Sequence, residues 1–206
     1  MSNFFLYDID GTITKEEIDL WYLFSSSYNL NKEKFNKDLL EYKLNKQQEP
    51  FSASKIMMQK TVKILPNNIH DYMNAFVNKI KLDEFVRMDA IQSLKDNSKK
   101  GKIIFSTTNY EDLANLFIDK IIKEYKINNI ELVSGTSIDW GLKKILHFNC
   151  GPLKLKCLEG IDFIEESYGD DPFYNDSYLL NIAKRGYIIT TDKNKKFKTN
   201  YRLNWK

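Results

Sequence analysis

Asp8 and Asp10 stand two residues apart in Asp8-Ile9-Asp10-Gly11-Thr12, directly after the unbroken apolar run Phe4-Phe5-Leu6-Tyr7. In an extended chain, side chains at i and i+2 point to the same side, so both carboxylates meet at the end of that run. Acids this close repel one another unless a shared proton or a cation intervenes. A surface pair would avoid the conflict in water, but these acids follow a stretch that reads as buried. A hard divalent cation, most naturally Mg²⁺, resolves the repulsion and would also neutralise the charge of a phosphate. Gly11 lets backbone amides approach an anion closely. Taken alone, the pentapeptide also reads as an Asp-Gly turn between strands, so the elements around it must decide.

Those elements read as an α/β protein. An apolar run without polar alternation suits a strand covered on both faces, as in a parallel sheet. Residues 102–105 form a second such run, preceded by Gly101 and ended by Ser106-Thr107-Thr108-Asn109. Thr108 and Glu111 have capping-box spacing, and Leu113, Leu116, Phe117 and Ile121 follow at helical intervals. Residues 130–133, 162–168 and 187–189 are further predicted strands, with a helix over 178–185 that Gly186 would end. Strand, polar turn and helix in repetition is the pattern of an open sheet, whose ligands gather at the carboxyl edge.

Residues 15–98 break that rhythm. Leu20, Leu23 and Phe24, then Ile56, Met57, Thr61 and Val62, then Tyr72, Met73, Phe76 and Val77 recur at helical spacing. The expected organisation is a core from 1–14 and 99–206, with 15–98 inserted as a helical domain. Glu49-Pro50 and Leu65-Pro66 mark internal turns, because the residue before proline avoids helix.

Composition narrows the class without naming it. The 206 residues are 42% hydrophobic and 29% charged, as in ordinary globular proteins. A net charge of +3 is too small to imply a polyanionic partner. The two cysteines, Cys150 and Cys157, make no disulfide framework, and no apolar run is long enough for a bilayer, so a cytoplasmic, membrane-free protein is expected. His70 and His147 are isolated and carry no expected role. From Lys193 onward, Lys195, Lys196, Lys198, Arg202 and Lys206 interleave with Phe197, Tyr201 and Trp205. Such alternation can bind single-stranded nucleic acid, but with so small a net charge a terminal segment whose aromatics pack on the domain is the simpler reading.

With Ile13, the opening motif resembles the D-x-D-G-T-[ILV] signature of the haloacid dehalogenase (HAD) superfamily. Three later motifs of that family can be sought in order. Ile103-Ile104-Phe105-Ser106 fits the hydrophobic strand ending in Ser or Thr. Gly151-Pro152-Leu153-Lys154 fits the lysine motif of the phosphoserine-phosphatase-like branch, with Leu158 at the right offset and Cys150 one residue nearer the glycine than usual. Gly135-Thr136 also resembles that branch. Tyr168-Gly169-Asp170-Asp171 supplies the first half of the acidic fourth motif; its second acid is either Asp171 itself or Asp176, two residues beyond the usual spacing.

The resemblance implies a Rossmann-like parallel sheet with a helical cap inserted after the first strand, and a phosphatase acting on a small phosphorylated metabolite. It makes Asp8 a covalent nucleophile and Asp10 a general acid and base. Ser106, Lys154 and loop groups of Gly11, Thr12 and Thr107 would hold the phosphate oxygens. Mg²⁺ would be bound by the carboxylates of Asp8 and Asp170 and the backbone carbonyl of Asp10. Dehalogenases have no use for the second aspartate, so Asp10 favours phosphate chemistry. Glu17 matches the position at which phosphoserine phosphatases hold the substrate's ammonium. Those enzymes also use a cap arginine for the carboxylate, and Arg87 is the only arginine before the second motif. Another amine-bearing phosphate, walled by Trp21 or Tyr22, is the expected variation. A binding or regulatory protein that kept this fold and lost turnover is the alternative class, favoured only by the irregular spacing of the fourth motif, and a nucleic-acid-end phosphatase is a minor alternative.

Overall fold

A computed structural model of the protein describes residues 3–189 and 201–203. The strands are β1 (Asn3–Tyr7), β2 (Gly101–Tyr110), β3 (Ile130–Asp139), β4 (Lys144–His147), β5 (Glu166–Gly169), β6 (Arg185–Ile189) and β7 (Tyr201–Leu203). They form one sheet in the order β4-β3-β2-β1-β5-β6-β7. Every neighbouring pair is parallel except β3 with β4. Chain order reverses at β1, which lies between β2 and β5, and this is where open sheets leave a crevice for ligands.

The apolar runs behave as expected of strands covered on both faces. Phe5 and Tyr7 enter one core with Ile103 and Phe105, while Leu6 and Ile104 face a second core with Leu158, Ile164 and Leu179. Helix α7 (Glu111–Tyr125) covers the first face, burying Leu113, Ala114, Phe117, Ile118 and Ile121. The second face is covered by α8 (Ser177–Ile182) and a 3₁₀ segment, Gly151–Leu158.

Between β1 and β2 the chain forms α1 (Leu20–Tyr28), α2 (Lys32–Asn45), α3 (Pro50–Ile64), α4 (Ile69–Lys79), α5 (Leu82–Phe85) and α6 (Met88–Ser98). Asp19 and Asn31 cap α1 and α2 by accepting from the amides of Tyr22 and Lys34, and Pro50 opens α3 at its first position. The insertion leaves and returns through a narrow neck. Thr14 bridges Val86, Lys15 N donates to Phe85 O at 2.9 Å, and buried Arg87 donates from Nε to the carbonyls of Gly11 and Thr14. Beyond the neck, α6 packs on β2 and buries Ala90, Ile91 and Leu94 in the sheet's core. Packing therefore sets 88–98, the last helix of the expected 15–98 insertion, against the sheet.

Three local expectations are corrected. The predicted capping box is absent: β2 stays paired with β3 as far as Tyr110, so Thr108 is extended and its hydroxyl donates to Asn175 Oδ1 at 3.1 Å. The strand expected from 162 starts at Glu166. The last helix ends at Ile182, because Lys184 and Arg185 already donate to the carbonyls of Ile164 and Glu165, and Gly186 lies within β6. Of the basic, aromatic tail only the backbone of Tyr201–Leu203 lies within the described residues. Among these residues no helix is long and apolar enough to cross a membrane.

Candidate active site

The end of β1 delivers Asp8 to the carboxyl edge of the sheet, where its amide donates to Tyr168 O on β5 at 2.9 Å. Its carboxylate is buried, and Oδ1 accepts from Lys154 Nζ at 2.6 Å. Lys154, on the 3₁₀ segment, is fully buried and also donates to Asp176 Oδ1 at 2.7 Å. One ammonium thus joins two carboxylates from opposite ends of the sequence. Burial alone would lower the Lys154 ammonium, but Asp176 and Asp8 outweigh it and hold it well above its ordinary value.

The second oxygen of Asp176 accepts from the amides of Asp170 and Asp171, both at 3.1 Å. Of the two acids left open in the sequence, Asp176 is the one that meets Lys154: residues 172–175 form a bulge, and Asp176 N returns to Asp171 O at 2.9 Å. Asp171 instead lines the cleft, its Oδ1 accepting from Tyr174 N. Two glycines make the cluster possible. A Cβ on Gly11, whose φ is +74°, would collide with the Asp170 carboxylate, and one on Gly169 would collide with Asp176.

Oxygens of Asp8, Asp170 and Asp176 lie within 4.8 Å of one another. Both Asp176 oxygens are already engaged, whereas Asp8 Oδ2 and the Asp170 carboxylate accept no hydrogen bond among the described residues. Burial, then repulsion from Asp176, raises the carboxyls of Asp8 and Asp170 well above the usual range. Three acids thus share one ammonium, and the available donors are hard oxygens. That composition fits a hard divalent cation held by Asp8 and Asp170.

Asp10 occupies a different environment. Its Oδ1 accepts from Leu20 N, the first amide of α1, at 2.9 Å, and its Oδ2 accepts from Asn109 Nδ2 at 3.1 Å and Thr107 Oγ1 at 3.4 Å. Burial, followed by the nearby charge of Asp19, pushes its pKa up to about 7. A carboxyl so placed can both release and accept a proton near neutrality.

These acids form the floor of a cleft of about 530 Å³ whose far wall comes from α1, α2 and α3. No protein-family model and no curated protein sequence matches the chain. Solved structures do. A phosphoserine phosphatase from T. onnurineus is similar at TM-score 0.62 and 17% identity, with 100% of this chain and 90% of that chain covered. A phosphoserine phosphohydrolase-like protein from Francisella tularensis gives TM-score 0.64 at 16% identity over 92% and 88% of the two chains. A HAD phosphatase from Thermococcus onnurineus gives 0.61 at 14% identity over 98% and 93%. The chain has the haloacid dehalogenase fold.

Within this HAD fold, the expected site residues separate into those the structure gathers and those it does not. Asp8, Asp10, Thr107 and Asp170 line the cleft, and Lys154 and Asp176 lie directly behind Asp8. Ser106 is fully buried outside the lining, its hydroxyl donating to Lys154 O at 3.2 Å. Thr107 and Asn109, on the alternate side of β2, reach Asp10 instead. Thr12 is buried, and its hydroxyl has no partner among the described residues. Glu17 is exposed and outside the cleft, because the turn into α1 brings Asp19 to the lining.

Three asparagines complete the cluster without having been singled out in the sequence. Asn109 holds Asp10. Asn149 donates to Thr107 O at 2.8 Å and Ser106 Oγ at 3.2 Å, fixing the end of β2. Asn175 Oδ1 accepts from Gly151 N and Thr108 Oγ1, both at 3.1 Å, tying the bulge to the lysine segment. Asn149 and Asn175 adjoin Cys150 and Asp176, and Asn109 closes the polar run that begins at Ser106; that proximity is the only sequence signal they carry.

Proposed function

We propose that the protein is a Mg²⁺-dependent phosphatase that cleaves a phosphomonoester through an aspartyl-phosphate on Asp8. The observation that carries this reading is Asp8 itself: buried, held on one oxygen by Lys154, and left with the other oxygen unbonded among the described residues. The HAD-fold structures named as phosphatases support the same chemistry.

Asp8 Oδ2 would attack phosphorus in line as the bond to the leaving oxygen breaks, and Asp10 would give that oxygen its proton. In the second step Asp10 takes a proton from water, the water oxygen attacks phosphorus, and the Asp8–phosphorus bond breaks to release phosphate and restore both carboxyls. Lys154 and Thr107 lie where they can stabilise charge beside Asp8 and orient Asp10. The cation, held by Asp8, Asp170 and the Asp10 carbonyl, would neutralise phosphate charge. The alternative of a non-catalytic binding protein drew on the irregular spacing before Asp176. With Asp176 bonded to Lys154, that spacing no longer distinguishes this site from a working one.

Hydrolysis of a generic aryl phosphate should require Mg²⁺, vanish with a chelator and return when Mg²⁺ is restored. Activity indifferent to chelation, or none with any phosphomonoester, would overturn the reading. A second test is Gly11→Ala, in which the new methyl displaces Asp170. Misplacement of a positioned group by about 1 Å can lower turnover on the order of 10²-fold. The left-handed backbone adds strain of about 1–2 kcal/mol. Wild-type turnover and Mg²⁺ affinity in Gly11→Ala would contradict the role given to Asp170.

A further inference from the structure

The cleft is larger and more aromatic than a short aliphatic phosphate ester needs. Its volume lies inside the range of about 300–1,000 Å³ typical of sites that enclose drug-sized ligands. Beyond the acids, Trp21, Tyr22, Tyr42, Phe51, Met57 and Met58 line it. Several of these rings are fixed in place. Trp21 donates from its indole to the buried Tyr110 hydroxyl at 2.9 Å, and Trp21 and Tyr22 both pack on Phe35, with centroids 6.5 and 6.3 Å away. The Phe51 ring covers Gly151. Rings already held in position lose little freedom when a flat partner stacks on them, and methionine adapts to the shape of what it contacts.

The polar groups of the wall argue against the substrates first expected. Glu17, the candidate counter-charge for an ammonium, is outside the cleft. Lys43 and Lys46 line it opposite Asp19 and Asp171, so the wall lacks the net negative charge that an amine would need. Arg87, the only arginine of the insertion, is buried in the neck on the carbonyls of Gly11 and Thr14, so the wall offers no arginine to a substrate carboxylate.

We propose that the leaving group of the substrate is a planar aromatic ring system, seated among Trp21, Tyr22, Tyr42 and Phe51 while its phosphate reaches Asp8. This rests on the phosphatase reading above and narrows it to a substrate class. A nucleobase and a simple aryl or heteroaryl ring share this chemistry.

The test is kcat/KM with Mg²⁺ across three arms: nucleoside 5′-monophosphates, aryl and pyridine-bearing phosphates, and the aliphatic esters phosphoserine, choline phosphate and glycerol phosphate. Stacking of one ring on aromatic side chains supports a preference for the aromatic arms of about 10- to 100-fold. Preference for nucleotides alone assigns a nucleobase; preference for both aromatic arms assigns a ring without base-specific contacts. Tyr22→Ala and Tyr42→Ala, at partly exposed positions that tolerate truncation, should each lower the aromatic-to-aliphatic ratio about tenfold. Equal or better hydrolysis of the aliphatic arm, or a ratio unmoved by both variants, overturns this inference and leaves the phosphatase reading standing. Hydrolysis in none of the three arms overturns both.

Discussion

Asp8→Asn will fold, bind Mg²⁺ weakly and turn over phosphomonoesters on the order of 10⁴–10⁶-fold more slowly than the wild type, the scale on which loss of a covalent nucleophile is felt. An amide oxygen cannot form the acyl phosphate, and the neighbouring carboxylates are committed elsewhere, Asp170 to the cation in the proposed mechanism and the other two to hydrogen bonds. Asp176 has both oxygens engaged by Lys154 and backbone amides, and Asp10 is held by Leu20, Thr107 and Asn109. The fold should survive for an electrostatic reason. Burial and then Asp176 raise the Asp8 carboxyl, so without a cation its ionised form is disfavoured in the folded protein. A neutral residue of the same shape removes that repulsion and leaves Lys154 paired with Asp176. Thermal stability without Mg²⁺ should therefore equal or exceed that of the wild type. Residual turnover within tenfold of the wild type would remove Asp8 from the mechanism.

Lys154→Met will act in the opposite way, lowering stability as well as activity. The ammonium is fully buried and bonded to Asp8 and Asp176 at 2.6 and 2.7 Å. Methionine fills similar volume but leaves two buried carboxylates without a counter-charge, and breaking a buried pair in this way costs about 3–5 kcal/mol. The denaturation midpoint should drop with little change in slope, and added Mg²⁺ should recover part of the loss through Asp8 and Asp170. A loss below about 1 kcal/mol, the scale of an exposed pair, would mean that Lys154 does not hold the cluster together.

Much of this site was legible because its chemistry and its strands share short segments. Phe4 to Tyr7 announces a strand buried on both faces, and Asp8 and Asp10 follow at once, so fold and acids are read together. Asp170 is likewise announced by the strand that ends at Gly169. What stayed hidden depends on contacts across long separations. Spacing could not decide between Asp171 and Asp176, because the bulge of 172–175 becomes visible only where Asp176 meets Lys154. Asn109 looked like part of a polar turn, since its role depends on β2 continuing to Tyr110. The capping box at Thr108 failed for the same reason: sheet pairing overrode a local helix signal. Glu17 and Asp19 are both acids at the start of the insertion, and only the path into α1 puts one in the cleft and leaves the other in solvent. Gly186 suits a helix terminus in sequence but serves β6, so α8 stops short of its local signal. The contact of α6 with β2 is likewise invisible in the sequence, because its helical periodicity is the same whether it packs on a cap or on a sheet.

The most direct test of the central claim is to trap the intermediate. Enzyme and substrate are mixed with Mg²⁺, quenched in acid within the first turnovers, digested and measured by mass spectrometry. The account predicts one phosphoryl group on the peptide carrying Asp8, labile to base and hydroxylamine, and absent from Asp8→Asn and from enzyme without Mg²⁺. Turnover with no phosphorylated peptide at any quench time, or a phosphoryl group on another residue, would contradict it.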